Sequence, residues 1–347
     1  MRILIYTDTH FSQYSSIVRN RGSRYSIRLE NLIKSINWVE DLADQEDCDL
    51  IVCLGDFFDK PELSAEELTA LREIHWSTIP HKFLVGNHEI SSSDSIYNSV
   101  NALSKIGMII DKPIIEEGFG YRILYLPYIL ESNRKTIKEY YEDILKDTLS
   151  TQEVKNDIIF SHNDICGIRY GQYESKIGFN VKDISNHCNL FINGHLHNQQ
   201  QVNEKILNLG NLTGQNFSED AEKYSHCAAI LDTDTLQIEL INNPVALNFY
   251  KLEILDETNL SKLNVCKDYS VISIKTYQSL VNKIKEILSD KANIICYRIV
   301  TIPELKENTQ ESIDQILKLD HIDQFRQYIR ENLDNTELLE DELSYIK

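Results

Sequence analysis

The sequence predicts an α/β protein whose strands end in metal-type ligands. Three observations predict it. Apolar runs of strand length recur, namely Ile3–Tyr6, Asp49–Leu54, His81–Val85, Asp157–Phe160 and Cys188–Ile192. Between the first two, Leu29, Leu32, Ile33, Ile36, Val39 and Leu42 repeat at helical spacing. Each run is followed within a few residues by Asp, Asn or His, and open α/β sheets hold their ligands outside the carboxyl ends of the strands.

The whole chain sets bounds first. Its 347 residues are 42% hydrophobic, enough for a large core and roughly two domains. No apolar stretch approaches the ~20 residues of a membrane span, and Met1–Tyr6 reads as a first strand rather than a signal peptide. The seven Cys are scattered without a C-x-x-C pair. That argues for reduced thiols in a cytoplasmic protein and against a thiolate zinc site. The net charge of −19 argues on its own against a nucleic-acid binder. Bound divalent cations or a local basic patch would reverse that inference where it matters.

In chain order, the first strand runs into Asp8-Thr9-His10. In extended backbone, residues i and i+2 share a side, so Asp8 and His10 can enter one site. Residues 11–25 are polar and carry Arg19, Arg21 and Arg24, with Arg28 just beyond. A solvated loop and a phosphate-backbone contact both explain this basic stretch. Ser26 to Ala43 is the clearest helix. The second strand ends in Gly55-Asp56-Phe57-Phe58-Asp59. A helix from Ser64 to His75 follows, with Ser64 and Glu67 spaced as a capping box. The third strand ends in Gly86-Asn87-His88-Glu89. There Asn87 offers a neutral oxygen to a metal, and His88 points the other way, free for acid chemistry.

Tyr121–Tyr128 reads as a strand pair and Asn133–Leu149 as a surface helix. Asp157–Phe160 leads to His162, a lone histidine supported only by its place in the series. Cys188–Ile192 leads to Asn193-Gly194-His195-Leu196-His197, again with i, i+2 spacing. Ile206–Asn211 and Ala228–Ile241 read as closing strands. Asn242-Asn243-Pro244 marks a boundary. Residues 1–243 then form a first domain, 244–303 a small α/β capping domain, and 304–347 a tail. The tail carries twelve acidic and five basic side chains and keeps an apolar helical period. It is either a helix packed on its own domain or one that docks on a partner.

Asp8, His10, Asp56, Asn87, His162, His195 and His197 make seven N or O donors without a thiolate. That number suits two cations bridged by one carboxylate, and the donor types suit Mn²⁺, Fe²⁺ or Zn²⁺ better than Ca²⁺. Two metals about 3.5–4 Å apart clamp an in-line displacement at phosphorus.

The ordered blocks D-x-H, G-D-x-x-D, G-N-H-E, H and G-H-x-H resemble the calcineurin-like metallophosphoesterase superfamily over roughly the first 200 residues. The resemblance implies two packed mixed β-sheets flanked by helices. It implies one metal on Asp8, His10, Asp56 and His197, and a second on Asp56, Asn87, His162 and His195. Spacing alone does not say which of His195 and His197 serves which metal. His88 matches the family's catalytic histidine. Lys60-Pro61 after Asp59 departs from the Arg-Gly of the Ser/Thr protein phosphatases. The block Gly55–Pro61 instead resembles the SbcD-type double-strand-break-repair nucleases and their phage relatives. Departures are Phe11-Ser12-Gln13 after His10, Glu89 in place of Asp, and Gly210-Asn211 in place of Gly-Ser.

That branch implies a metal-dependent DNA exonuclease and endonuclease, most simply with two Mn²⁺, Mg²⁺ being a further possibility. It implies work in recombination, repair and replication beside an SbcC-type ABC/SMC ATPase that binds the tail. It also implies a homodimer through helices near residues 64–76 and 94–106. Arg19, Arg21, Arg24 and Arg28 are the candidate DNA contacts. One rival is a phosphodiesterase or phosphatase of the same superfamily acting on a small nucleotide. The other is a scaffold subunit with a vestigial site, against which the full ligand set argues.

Overall fold

In the computed structural model, two six-stranded mixed sheets pack face to face. The structure describes residues 1–14, 17, 24–91, 96–118, 120–146, 155–170, 173–219 and 221–303. The expected tail helix, 304–347, lies outside the described residues, as do Arg19 and Arg21.

The first sheet has the order Ile238–Asn242, Cys227–Asp232, Arg2–Tyr6, Leu50–Cys53, His81–Leu84, Met108–Ile110. Its four N-terminal strands run parallel, and the pair from residues 227 to 242 closes one edge antiparallel. The second sheet runs Gln200–Asn203, Ile206–Asn208, Leu190–Asn193, Asn156–Ser161, Tyr121–Leu126, Ile114–Gly118. Its four central strands are parallel and its two outer pairings antiparallel.

Strand alternation builds the layers. Ile3 and Ile5 face the second sheet, joining Val52, Leu84, Tyr125, Ile158, Phe160 and Ile192 in the core between the sheets. Leu4 and Tyr6 face the other way, onto Leu29, Leu32, Ile36 and Val39 of helix α1, Ile27–Gln45. On the far side, Ile159 and Phe191 pack under Ile137, Tyr140 and Ile184. Full burial of each such side chain contributes roughly 1.5–3 kcal/mol. The result brings the carboxyl ends of parallel strands from both sheets to one edge.

Helix α1 starts where Ser26 caps Leu29 N. Helix α2, Ala65–Ala70, has the capping box of Ser64 and Glu67, then tightens into a 3₁₀ turn at Leu71–Glu73. The helix expected from Asn133 starts later. Thr136 and Glu139 form a capping box for α3, Ile137–Leu145, while Glu131–Asn133 is a separate 3₁₀ turn. Around residues 94–106 the described backbone holds a 3₁₀ turn, Ser99–Leu103, and no α-helix.

Strands Asn248–Ile254 and Ser270–Tyr277 pair in parallel, and Ile294–Ile302 completes a third sheet. Ile284 and Leu288 of helix Val281–Ser289 cover it. Met1–Thr301 forms one compact unit. Among the described residues, no helix is long and apolar enough to cross a membrane.

Candidate dimetal centre

The seven candidate ligands converge at the shared edge of the two sheets. Asp8 and His10 follow strand Arg2–Tyr6, Asp56 follows Leu50–Cys53, and Asn87 follows His81–Leu84. His162 follows Asn156–Ser161, and His195 and His197 follow Leu190–Asn193.

The backbone there is not extended. Asp8, His10, Asp56 and His195 have φ of +52°, +46°, +48° and +72°. They are four of the seven non-glycine residues with left-handed φ among those described. Each such residue costs on the order of 1–3 kcal/mol and persists only where its surroundings over-determine it. Here hydrogen bonds between loops do so. Asp8 N donates to Gly55 O (3.1 Å), His10 N to Asp56 O (2.9 Å) and Gly194 N to Ser161 O (2.8 Å). The expectation that i, i+2 partners share a side of an extended strand is therefore replaced by turns just beyond the strands.

Those turns sort the ligands into two groups. In the first, Asp8, His10 and His197 bring ligand atoms within 4.8 Å of one another. His10 Nε2 faces His197 Nε2 at 3.1 Å and lies 3.8 Å from Asp8 Oδ1. In the second, Asp56, His162 and His195 meet the same limit, and His195 Nδ1 is 2.9 Å from Asn87 Oδ1. Asp56 Oδ2 lies between the groups, 3.8 Å from His10 Nε2 and 3.1 Å from His162 Nε2. The left-handed turn at His195 sends the two histidines of one motif to different groups.

The donor set fits two cations. Asp8 Oδ2 accepts from Thr7 Oγ1 (2.6 Å) and His195 N (2.9 Å). Asp8 Oδ1 is buried with no hydrogen-bond partner and faces the first group, and His162 Nε2 is likewise buried without one. Buried polar atoms without partners are rare and call for an explanation; one cation at each group would supply it. Asp56 has the same division, with Oδ1 accepting from His88 N at 3.0 Å and Oδ2 turned inward.

Carboxylates set the ring orientations. Asp59 Oδ1 accepts from His10 Nδ1 at 3.1 Å, and Glu219 Oε1 accepts from His197 Nδ1 at 2.9 Å. Asp164 Oδ1 lies 3.4 Å from His195 Nε2. Such partners fix the tautomer and raise ligand basicity, leaving Nε2 of His10 and His197 and Nδ1 of His195 for a cation. Asp59 sits in a quoted motif, three residues after Asp56, yet the sequence assigned it no role. Asp164 follows His162 by two residues. Glu219 stands in Phe217-Ser218-Glu219, which resembles the segment after the family's late loop, but its role beside His197 is found only by the fold.

The site is strongly polarised. Burial opposes ionisation of Asp8, but His162, His10 and His197 outweigh it and hold the carboxyl at about 2. Asp56 is likewise pulled well below the carboxylate range against its burial, chiefly by His162. Burial works against a charged His10, yet Asp59, Asp8 and Asp56 raise it to about 10. His162 rises to about 9 against its burial, through Asp56 and Asp8. The raised values of His10 and His162 favour their protonated forms in the metal-free protein, and a cation taking those nitrogens would displace the protons.

Two features brace the loops. Glu89 is fully buried; its Oε1 accepts from Phe58 N (2.9 Å) and its Oε2 from Gly86 N (2.7 Å). Burial and then the charge of Asp56 push its carboxyl up to about 8. Gly86 leaves room for Asp56, since a Cβ there would overlap Asp56 Oδ1 and its backbone nitrogen. Gly86→Ala is expected to displace the Asp56 carboxylate and lower phosphoester turnover by about 100-fold or more. Steady-state kinetics with metal analysis checks this; wild-type turnover at full metal loading would refute it.

His88 is 43% exposed and stands edge-on to His10, with ring centroids 4.6 Å apart. Its Nδ1 donates to Asp59 O at 3.1 Å, which leaves Nε2 free. Of the candidate DNA contacts, Arg24 pairs with Glu73. Arg28 is turned inward, its Nη2 donating to His10 O at 3.3 Å.

The sequence pattern of the calcineurin-like phosphoesterases matches residues 1–199. The chain belongs to the calcineurin-like phosphoesterase family. It is therefore a metallophosphoesterase, and the groups described above are its candidate metal ligands. Among solved structures it is similar to a dimetal phosphatase from Danio rerio, at 14% identity and TM-score 0.40 over 70% of this chain and 98% of that one. It is also similar to the calcineurin-like phosphoesterase YfkN from Bacillus subtilis, at 11% and 0.39 over 70% and 88%. A purple acid phosphatase from yellow lupin seeds matches at 17% and 0.37 over 62% and 40%.

Proposed function

We propose that this metallophosphoesterase hydrolyses DNA phosphodiesters, as exonuclease and endonuclease, with two divalent cations that are Mn²⁺ in the simplest case. The observation that carries the hydrolytic part is Asp56 Oδ2, set between His10 Nε2 and His162 Nε2. Asp8, His10, Asp56 and His197 would hold one cation, and Asp56, Asn87, His162 and His195 the other. When bound, the cations activate a water and neutralise charge on the phosphoryl oxygens. His88 stands beside the first set with Nε2 free, placed to protonate the leaving oxygen, and Asp59 holds its other nitrogen.

The DNA reading is supported by the block Gly55–Pro61, which resembles the SbcD-type nucleases. It is also supported by the rim of the site. Tyr14 is 65% exposed, and Lys60, the neighbour of Asp59, holds its ammonium 4.5 Å from the Tyr14 ring centre. An aromatic face beside a cation suits a stacked base and its phosphate. In this reading the subunit acts as a homodimer with an SbcC-type ATPase bound by the 304–347 tail. A phosphodiesterase for a small nucleotide would use the same cations without the tail.

The test is cleavage of end-labelled duplex, hairpin and single-stranded DNA by the full chain with Mn²⁺, beside a chromogenic small diester. DNA cleavage that a chelator abolishes and Mn²⁺ restores is expected. Turnover of the small diester with DNA left intact, even with the ATPase present, would leave the small-nucleotide reading in its place.

A further inference from the structure

Arg28 lies in the first turn of α1, where the helix dipole disfavours a cation, so a tertiary partner must hold it there. Its Nη2 donates to His10 O (3.3 Å) and its Nη1 to Gln215 O (3.5 Å). Gln215 in turn reaches the same turn from the other side, Nε2 donating to Asp8 O at 3.3 Å. The Gln215 backbone N–H donates to Glu219 Oε2 (2.8 Å), whose other oxygen holds His197. Arg28 therefore closes a ring of contacts through all three residues of the first ligand group. The nearby Asp59 and Glu219, which orient His10 and His197, both act electrostatically on its guanidinium.

We infer that Arg28, with Gln215, is a positioning residue that holds the left-handed Asp8–His10 turn against His197 and thereby sets the cation affinity of that group. This rests on the two-cation reading but not on DNA as the substrate. Arg suits the place because its planar fork serves two carbonyl oxygens at once, which an ammonium cannot do with the same geometry. It assigns Arg28 to the inside of the site, not to a phosphate of the bound strand.

The experiment is an Mn²⁺ titration of the full-length chain read by electron paramagnetic resonance, with wild type, Arg28→Met, Arg28→Lys and Gln215→Met. Wild type is expected to bind two Mn²⁺. Arg28→Met is expected to weaken one of the two by about 10–100-fold and spare the other, with excess Mn²⁺ restoring turnover of the small diester. Arg28→Lys and Gln215→Met should each give a smaller loss at that same cation. Unchanged Mn²⁺ affinities with a raised KM for DNA would overturn the inference and make Arg28 a phosphate contact. If Arg28→Met does not fold, unchanged affinities in both Arg28→Lys and Gln215→Met overturn it equally. A wild type that binds no pair of Mn²⁺ ions defeats the two-cation reading itself, and this inference with it.

Discussion

Asp56→Asn is expected to lower kcat/KM by about three orders of magnitude or more and to leave the protein with one Mn²⁺ or none. The candidate bridge is a single atom, Oδ2, lying 3.8 Å from His10 Nε2 and 3.1 Å from His162 Nε2. An amide keeps the shape and can still accept from His88 N–H. It removes the charge that holds two cations close, and it places either a neutral oxygen or an NH₂ group there. Each tenfold in rate is 1.36 kcal/mol of barrier, and two bound cations would supply several kcal/mol of charge stabilisation in the transition state, so the expected loss has the right size. Metal analysis and circular dichroism on the same sample separate a lost cation from a lost fold. A folded variant that keeps two Mn²⁺ and turns over within tenfold of wild type would remove Asp56 from the bridge.

If the proposed DNA hydrolysis with His88 as general acid holds, His88→Ala is expected to lower kcat on DNA by about 10²–10⁴-fold, the usual worth of such a group, with both cations retained. Its ring is half exposed, and Asp59 O takes up one nitrogen. However, His88 also lies within ligand distance of His10 and Asp56, so a role as a metal ligand must be told apart from acid chemistry. The leaving group does this. An alkoxide leaving from DNA needs a proton, whereas a nitrophenolate leaves without one, so the loss should be much smaller on a p-nitrophenyl diester. Equal losses on both substrates together with loss of a cation would make His88 a ligand instead.

The sequence alone determined which residue types gather and in what order. The reason is local: each candidate ligand sits within a few residues of a strand's carboxyl end, and parallel strands bring those ends to one edge. Apolar periodicity likewise marked the strands and placed α1, and Ser64 with Glu67 announced the start of α2. The start of α3 was carried by the Thr136–Glu139 capping box, a signal present in the sequence that the reading from Asn133 did not use.

Tertiary structure decided how the ligands divide. His195 and His197 read as rings on one side of an extended strand, but a left-handed turn at His195 sends them to different groups. The bond that holds the His195 N–H in this turn goes to Asp8, 187 residues earlier in the chain, and no local pattern encodes it. The same holds for which histidine each orienting carboxylate meets. Glu219 meets His197 only because the loop after Asn211 folds back over the site. Arg28 reads as one cation in a basic stretch and becomes an internal brace because α1 packs its first turn against the carbonyl of His10. Residue chemistry is written locally, whereas the partner that gives each charge its role is supplied by distant chain.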